Sequence, residues 1–226
     1  MGKSRNGGAV TVVTQWPPWD DSRVSEVVGI VLAAGQSTRM GQPKALLPCP
    51  PAGRTFVTQI IHVLREGGID TIAVIGRVND SDLRREVAAA VPPVCYIENP
   101  SPELGQLSSM LVGVRFGEAK EAAGILVLPV DMPLIRPETV RTALGAFAAG
   151  DEPVLRATYQ GRHGHPVIFS AAVFPALRSA DPKVGARAVL HQDPTRVRNL
   201  EIDDPGVLRD FDWPTDYRGL FEPDGT

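Results

Sequence analysis

Short apolar runs alternate with amphipathic segments along most of the chain. Residues 27–33 form a continuous apolar run interrupted only by Gly29, the pattern of a strand buried on both faces. From Thr55 to Glu66 the apolar residues Phe56, Ile60, Ile61 and Leu64 recur at helical spacing, and Gly67-Gly68 stops the helix. The same reading predicts strands over 71–75, 94–97 and 125–130 and helices over 80–90, 108–119 and 137–149. Pro92-Pro93 ends the first of these helices, and Pro137 suits the first position of the last. Beyond residue 150 the pattern is less regular, with strands predicted at 154–158, 166–169 and 197–202 and helices at 171–178 and 185–191. Strands that alternate with helices imply βαβ crossovers. The predicted fold is therefore a Rossmann-like three-layer α/β/α sandwich with a mainly parallel sheet, whose ligands lie outside the carboxyl ends of the strands.

Residues 1–24 carry Gly7-Gly8, Trp16-Pro-Pro-Trp19 and Asp20-Asp21 without any sustained period. They are predicted to be a flexible extension, with 25–226 forming one domain. At 226 residues the chain is long enough for one proper core, and 43% hydrophobic with 22% charged residues is ordinary for a globular protein. A formal net charge of -3 argues against a nucleic-acid-binding surface, so an anionic ligand must be held by local cations. Cys49 and Cys95 cannot build a disulfide framework, and with the four histidines they show no zinc-ligand spacing. No apolar run approaches the roughly 18 residues of a membrane span, and no signal-peptide core is present, so a cytoplasmic protein is expected.

Chemistry concentrates first at Leu32-Ala-Ala-Gly-Gln-Ser-Thr-Arg-Met-Gly-Gln-Pro-Lys44, directly after the first strand. Gly35 and Gly41 allow backbone N–H groups to approach an anion, Ser37 and Thr38 add donors, and Arg39 and Lys44 add charge. That is the make-up of a phosphate-holding loop. It is not a P-loop, because Gln42-Pro43 separates Gly41 from Lys44, and its glycines are too far apart for a GxGxxG fingerprint. Asp131 closes the apolar run 125–130 between Pro129 and Pro133. A carboxylate at a strand end beside a phosphate loop is placed to hold Mg²⁺, which takes one or two carboxylates plus phosphate oxygens; capping the next turn is the competing role.

The loop resembles the nucleotidyltransferase signature LAAGxSxRMGxxK of the MobA-like and MocA-like superfamily. Further elements resemble that superfamily in the same order as far as Tyr217. Asp131-Met-Pro133 looks like its metal aspartate. Asn99, Gly105, Ser108-Ser109 and Gly113 look like an element lying against base and ribose, although the two serines also suit a helix cap. Gly161-Arg-His163-Gly-His165-Pro166 resembles GRRGHP and implies that Arg162 and His165 line the acceptor pocket, and Lys183-Val-Gly185-Ala-Arg187 offers Lys183 and Arg187 to an acceptor phosphate. Asp210-Phe-Asp212-Trp-Pro-Thr-Asp216-Tyr217 resembles D-x-D-T-P-x-D-Y, with Asp212 as second metal ligand, Asp216 as a helix-start charge, and Trp213 standing where Thr is usual.

The pattern is most similar to the molybdenum cofactor cytidylyltransferase (MocA-like) branch through LAAG, the DMP element, GxxGHP and the acidic ending, and Ala34, where the guanylyltransferase branch has a second glycine, leans towards cytidine. The resemblance implies a Mg²⁺-dependent transfer of CMP from CTP to a phosphate monoester, with molybdopterin as the acceptor and a molybdoenzyme apoprotein as a further partner. In it Arg39, Lys44 and Asp131 are catalytic. Leu32, Ala33, Ala34, Gly35, Ser37, Arg39, Lys44, Asn99 and Ser108 bind the nucleotide, and Asp131 and Asp212 hold the metal. A MobA-type guanylyltransferase, a sugar-phosphate or isoprenoid cytidylyltransferase, and a non-catalytic maturation module remain alternatives.

Overall fold

The computed structural model describes residues 26–221. The extension predicted at 1–24, with Trp16 and Trp19, lies outside the described residues. In chain order the elements are β1 (Val27–Leu32), β2 (Pro48–Cys49), β3 (Arg54–Thr55), α1 (Phe56–Glu66), β4 (Ile72–Arg77), α2 (Ser81–Ala88), β5 (Cys95–Asn99), α3 (Gln106–Ala119), β6 (Gly124–Pro129), α4 (Pro137–Ala148), β7 (Val154–Tyr159), β8 (Arg162–Ser170), α5 (Phe174–Arg178), α6 (Arg187–Gln192), β9 (Val197–Glu201) and α7 (Pro214–Phe221). Seven strands form one sheet in the order β5-β4-β1-β6-β8-β7-β9. Within this sheet β8 pairs antiparallel with both β6 and β7, and all other pairings are parallel.

β1 is apolar along its whole length because both of its faces are covered. Val27 and Val31 join a cluster with α1 and α4, whereas Val28, Ile30 and Leu32 join a second cluster with α3 and α5. Each fully buried aliphatic side chain of this kind contributes roughly 1.5–3 kcal/mol, so the two clusters hold the three layers together. α3 sits close on the sheet through Gly113, where a Cβ would come within 2.7 Å of Ile30 Cγ2.

The chain runs from β1 outward to β4 and β5, then returns to β6 on the other side of β1. β1 and β6 end together, with Leu32 opposite Pro129, and their following loops part in opposite directions. The crevice left at such a switch point is where ligands of doubly wound sheets bind.

The three-layer, mainly parallel prediction holds, with several local corrections. The helix predicted at 108 begins at Gln106, which places Ser108 and Ser109 in its first turn rather than at its cap. The helix predicted over 171–178 is a 3-10 turn, Ala171–Val173, followed by α5 with Pro175 in its first turn. The strand predicted at 166–169 reaches back to Arg162. The β2–β3 pair, two residues each, carries no periodic signal and was not predicted.

Candidate active site

The loop after β1 is fastened at both ends. Ala33 N–H donates to the Ile75 carbonyl at 2.9 Å, so the chain leaves β1 still attached to the sheet. Ser37 adopts a left-handed φ of 51° and Gly41 one of 74°. This reversal lets the Ser37 carbonyl accept from Met40 and Gly41 N–H, both at 3.1 Å. The Ser37 hydroxyl accepts from Lys44 N–H at 3.2 Å. Met40, Ala45 and Leu47 are buried in the core on the α1 side. They anchor the loop and launch Lys44 from the start of a 3-10 turn, Lys44–Leu46.

Two carboxylates meet that lysine. Asp131 lies two residues beyond the end of β6, and its carbonyl accepts from Phe211 N–H at 3.0 Å. Phe211 is fully buried and packs edge-on against Phe56, with ring centroids 5.4 Å apart. Fixing Phe211 in this way brings the next residue, Asp212, beside Asp131. Further back, the buried Asp204 carboxylate accepts from Thr139 Oγ1 at 2.5 Å, Gly206 N–H at 2.9 Å and Arg136 N–H at 3.0 Å. These bonds tether the acidic segment to the start of α4.

The result is a compact charge cluster. Lys44 Nζ lies 3.0 Å from Asp131 Oδ2 and 2.5 Å from Asp212 Oδ1. Arg39 Nη1 lies 3.0 Å from Asp212 Oδ2, and the guanidinium sits 5.6 Å from the centre of the Trp213 ring. The Lys44 side chain is only 11% exposed, against 62% for Arg39. Asp216 is a backbone acceptor, taking Trp213 N–H at 2.8 Å and Asp212 N–H at 3.1 Å. The local hydrogen bonding around Trp213 is thus supplied by Asp216.

Burial works against the Lys44 charge, but the hydrogen bond to Asp212 and the charge of Asp131 outweigh it and raise its pKa. Asp212 is lowered, chiefly by the Lys44 hydrogen bond and then by the charges of Lys44 and Arg39, although burial opposes them. Asp131 is raised: burial dominates, Lys44 opposes it, and Asp210 and Asp212 add repulsion. Lys44 therefore stays an ammonium, shared between two unequal carboxylates.

These residues open into a cleft of about 780 Å³. Leu32, Ala33, Ala34, Gly35, Ser37, Arg39, Lys44, Asp131 and Asp212 all line it, as do Arg162, His165 and Arg187. Asn99, Ser108 and Lys183 do not. Asn99 is buried and donates to Ser108 Oγ at 2.8 Å and Ser109 Oγ at 2.9 Å, so the polar group of this element acts inward, and Gln106 and Ser109 reach the cleft instead. Arg77, Asp80 and His163 also face the cleft. Arg77 is the last residue of β4, and a strand end is the signal that would have found it. His165 is half-buried; its Nδ1 is shut off from solvent without a hydrogen-bond partner among the described residues. Burial lowers its pKa to about 4, against the opposing effects of the Val127 carbonyl and Asp210.

Among the described residues no group of three His, Cys, Asp or Glu side chains comes together as a metal cage. Two carboxylates converging on one cationic centre do fit a hard divalent ion that completes its octahedron with phosphate oxygens and water.

A doubly wound sheet with a cationic loop and paired carboxylates at its switch point defines a nucleotidyltransferase. The chain belongs to the MobA-like NTP transferase domain family, which matches residues 29–197. Purine catabolism protein PucB of Bacillus subtilis (strain 168) is 30% identical over 201 residues, 84% of this chain and 94% of that protein. A molybdenum cofactor guanylyltransferase of Xanthomonas euvesicatoria is 37% identical over 107 residues, 47% of this chain and 48% of that enzyme. Rv0371c from Mycobacterium tuberculosis H37Rv is 29% identical, with a TM-score of 0.70 over 87% of this chain and 98% of its own. A structure of Rv0371c in complex with manganese superposes with a TM-score of 0.66 at 28% identity, over 88% of this chain and 99% of that one.

Proposed function

We propose that this nucleotidyltransferase moves CMP from CTP onto the phosphate monoester of molybdopterin and releases pyrophosphate. The observation that carries the reading is the convergence of Arg39, Lys44, Asp131 and Asp212 at the mouth of the switch-point crevice. An acceptor phosphate oxygen attacks the α-phosphorus in line. A new P–O bond forms, the bond to the β-phosphate oxygen breaks, and the electron pair leaves with pyrophosphate. No protein nucleophile is needed, so catalysis reduces to positioning and charge neutralisation. Arg39 and Lys44 offset charge on the triphosphate and the departing pyrophosphate. The backbone of Ala33–Gly35 and the Ser37 hydroxyl approach the nucleotide. Asp131 and Asp212 hold Mg²⁺, which when bound supplies Lewis-acid stabilisation of phosphate charge.

Arg162, His163, His165 and Arg187 line the same cleft and supply cationic and imidazole groups for the acceptor phosphate. Lys183 lies off the cleft wall and has no part in this reading. Ala34 in place of a second glycine favours cytosine over guanine, a preference of about 1–3 kcal/mol at most. We place the reaction in the cytoplasm, with delivery to a molybdoenzyme apoprotein; among the described residues no helix is long and apolar enough to cross a membrane.

The test is a matrix of nucleotides (CTP, GTP, ATP, UTP) against acceptors (molybdopterin, sugar phosphates, methylerythritol phosphate), scored for pyrophosphate with and without Mg²⁺. Release that depends on both CTP and molybdopterin supports the reading. Preference for GTP reassigns the base, and tight nucleotide binding without any pyrophosphate release overturns the enzymatic assignment.

A further inference from the structure

The ion pairs at the cleft mouth carry a consequence for how substrate enters. Both oxygens of Asp212 are held by cations of the phosphate loop, Oδ1 by Lys44 and Oδ2 by Arg39, and Asp131 Oδ2 is held by the same Lys44 ammonium. The two carboxylates that fit a divalent cation thus already have cationic partners, and these are the side chains that the triphosphate needs. Lys44 is the tighter of the two, being nearly buried, while Arg39 rests half in solvent against Trp213.

We propose that Lys44 and Arg39 act as internal stand-ins for the divalent ion, so that the substrate admitted is the preformed metal–nucleotide complex and free metal is turned away. A free divalent ion reaching Asp131 and Asp212 meets an ammonium and a guanidinium, and it must displace both with no new partner for either. A metal–triphosphate complex brings the exchange partners with it. Its β- and γ-phosphate oxygens take Lys44 and Arg39, and the released carboxylates turn to the cation. Charge is conserved at each position, since every ion pair broken is replaced by another. Among the described residues no group of three His, Cys, Asp or Glu side chains is placed to hold a metal, so two carboxylates alone would leave most of the ion's positions to phosphate oxygens and water. Metal and nucleotide then strengthen each other's binding reciprocally, as coupled ligands must.

This inference rests on the nucleotidyltransferase reading but is tested without turnover. Mn²⁺ is titrated into the full chain with no nucleotide present, and free Mn²⁺ is read by electron paramagnetic resonance. Wild type is compared with Lys44→Met, Arg39→Met and the double variant Lys44→Met/Asp131→Asn. Removing the competing ammonium tightens Mn²⁺ binding by about 10- to 100-fold, within the ordinary range for coupled sites. Arg39→Met, at an exposed position where folding is not at stake, tightens it a few-fold. The gain in Lys44→Met disappears when Asp131 is also neutralised. Wild type and both single variants binding Mn²⁺ equally, or a gain that survives the Asp131 change, overturns the stand-in role. Either result leaves the nucleotidyltransferase reading intact, because that reading stands or falls on pyrophosphate release.

Discussion

Replacing Lys44 by Met keeps the aliphatic stem and deletes the charge, and it separates a catalytic from a structural role. The ammonium is 11% exposed and touches both Asp131 and Asp212. Losing one electrostatic group of this kind lowers turnover by about 100- to 1,000-fold, or roughly 3–4 kcal/mol of transition-state stabilisation. The stability effect is smaller. Breaking a fully buried pair costs about 3–5 kcal/mol, but Asp131 is 24% and Asp212 37% exposed, so solvent screens the orphaned carboxylates and the loss falls to about 2 kcal/mol. In a chain of this size that lowers Tm by about 4–8 °C and leaves the protein folded at 25 °C. The loss also acquires a pH signature. Asp131 is raised by burial and Lys44 opposes that rise, so without Lys44 it rises further. A carboxyl bound more tightly to its proton in the folded state destabilises as pH rises, so the variant is closest to wild type in acid and falls behind through the carboxylate range. Pyrophosphate release from CTP at 25 °C, beside thermal melts at pH 4 and pH 7, measures both effects. Turnover within about threefold of wild type refutes the role given to Lys44.

Three other perturbations follow from the same geometry. His165 has its pKa lowered to about 4, so between pH 6.5 and 4 the unfolded chain takes up a proton that the folded chain refuses. Its contribution is present above pH 6.5 and is lost on acidification, about 3 kcal/mol in all, so urea titrations should show a shallower acid decline for His165→Gln; identical slopes refute this. Trp213→Thr removes the ring beneath Arg39, an exposed cation–π contact of about 0.5–1 kcal/mol; the nucleotide KM should rise about two- to fivefold at unchanged kcat, with Trp213→Phe restoring most of it, and an unchanged KM argues against any bracing role. Asp204→Ala strands the Thr139 hydroxyl and the Arg136 and Gly206 N–H groups, which should cost about 3–5 kcal/mol and roughly 10 °C in Tm; a shift under about 3 °C in calorimetry contradicts the tether.

What could be read from the chain, and what could not, divides along the range of the interactions. β1, β4 and β6 lie in the middle of a doubly covered sheet, so their apolar runs announced themselves, and the α1 face formed by Phe56, Ile60, Ile61 and Leu64 is a local period. β8 was recognised only in part, because its exposed first residues, Arg162 and His163, carry no apolar signal, and nothing in a single strand records that its partners run antiparallel. The same divide runs through the candidate site. The loop from Leu32 to Lys44 is contiguous, and its chemistry is legible from residue types alone. Asp212 lies 168 positions from Lys44, and no local pattern links them; only the resemblance of the acidic ending to a known family pointed there. What joins the two is Phe211, whose buried ring and N–H bond to Asp131 convert core packing into the placement of a carboxylate. Lys183 shows the converse. Its element matched by sequence, yet of that element only Arg187 reaches the cleft wall, because the first turn of α6 rather than the segment before it meets the cavity. Residue types along a segment therefore set what chemistry is available, while the long-range packing of Phe211 and Asp204 decides which charges share a cleft. On this view Phe211→Leu, which touches no reacting group, should lower turnover more than its loss of stability accounts for, because it loosens the packing that sets Asp212 beside Lys44.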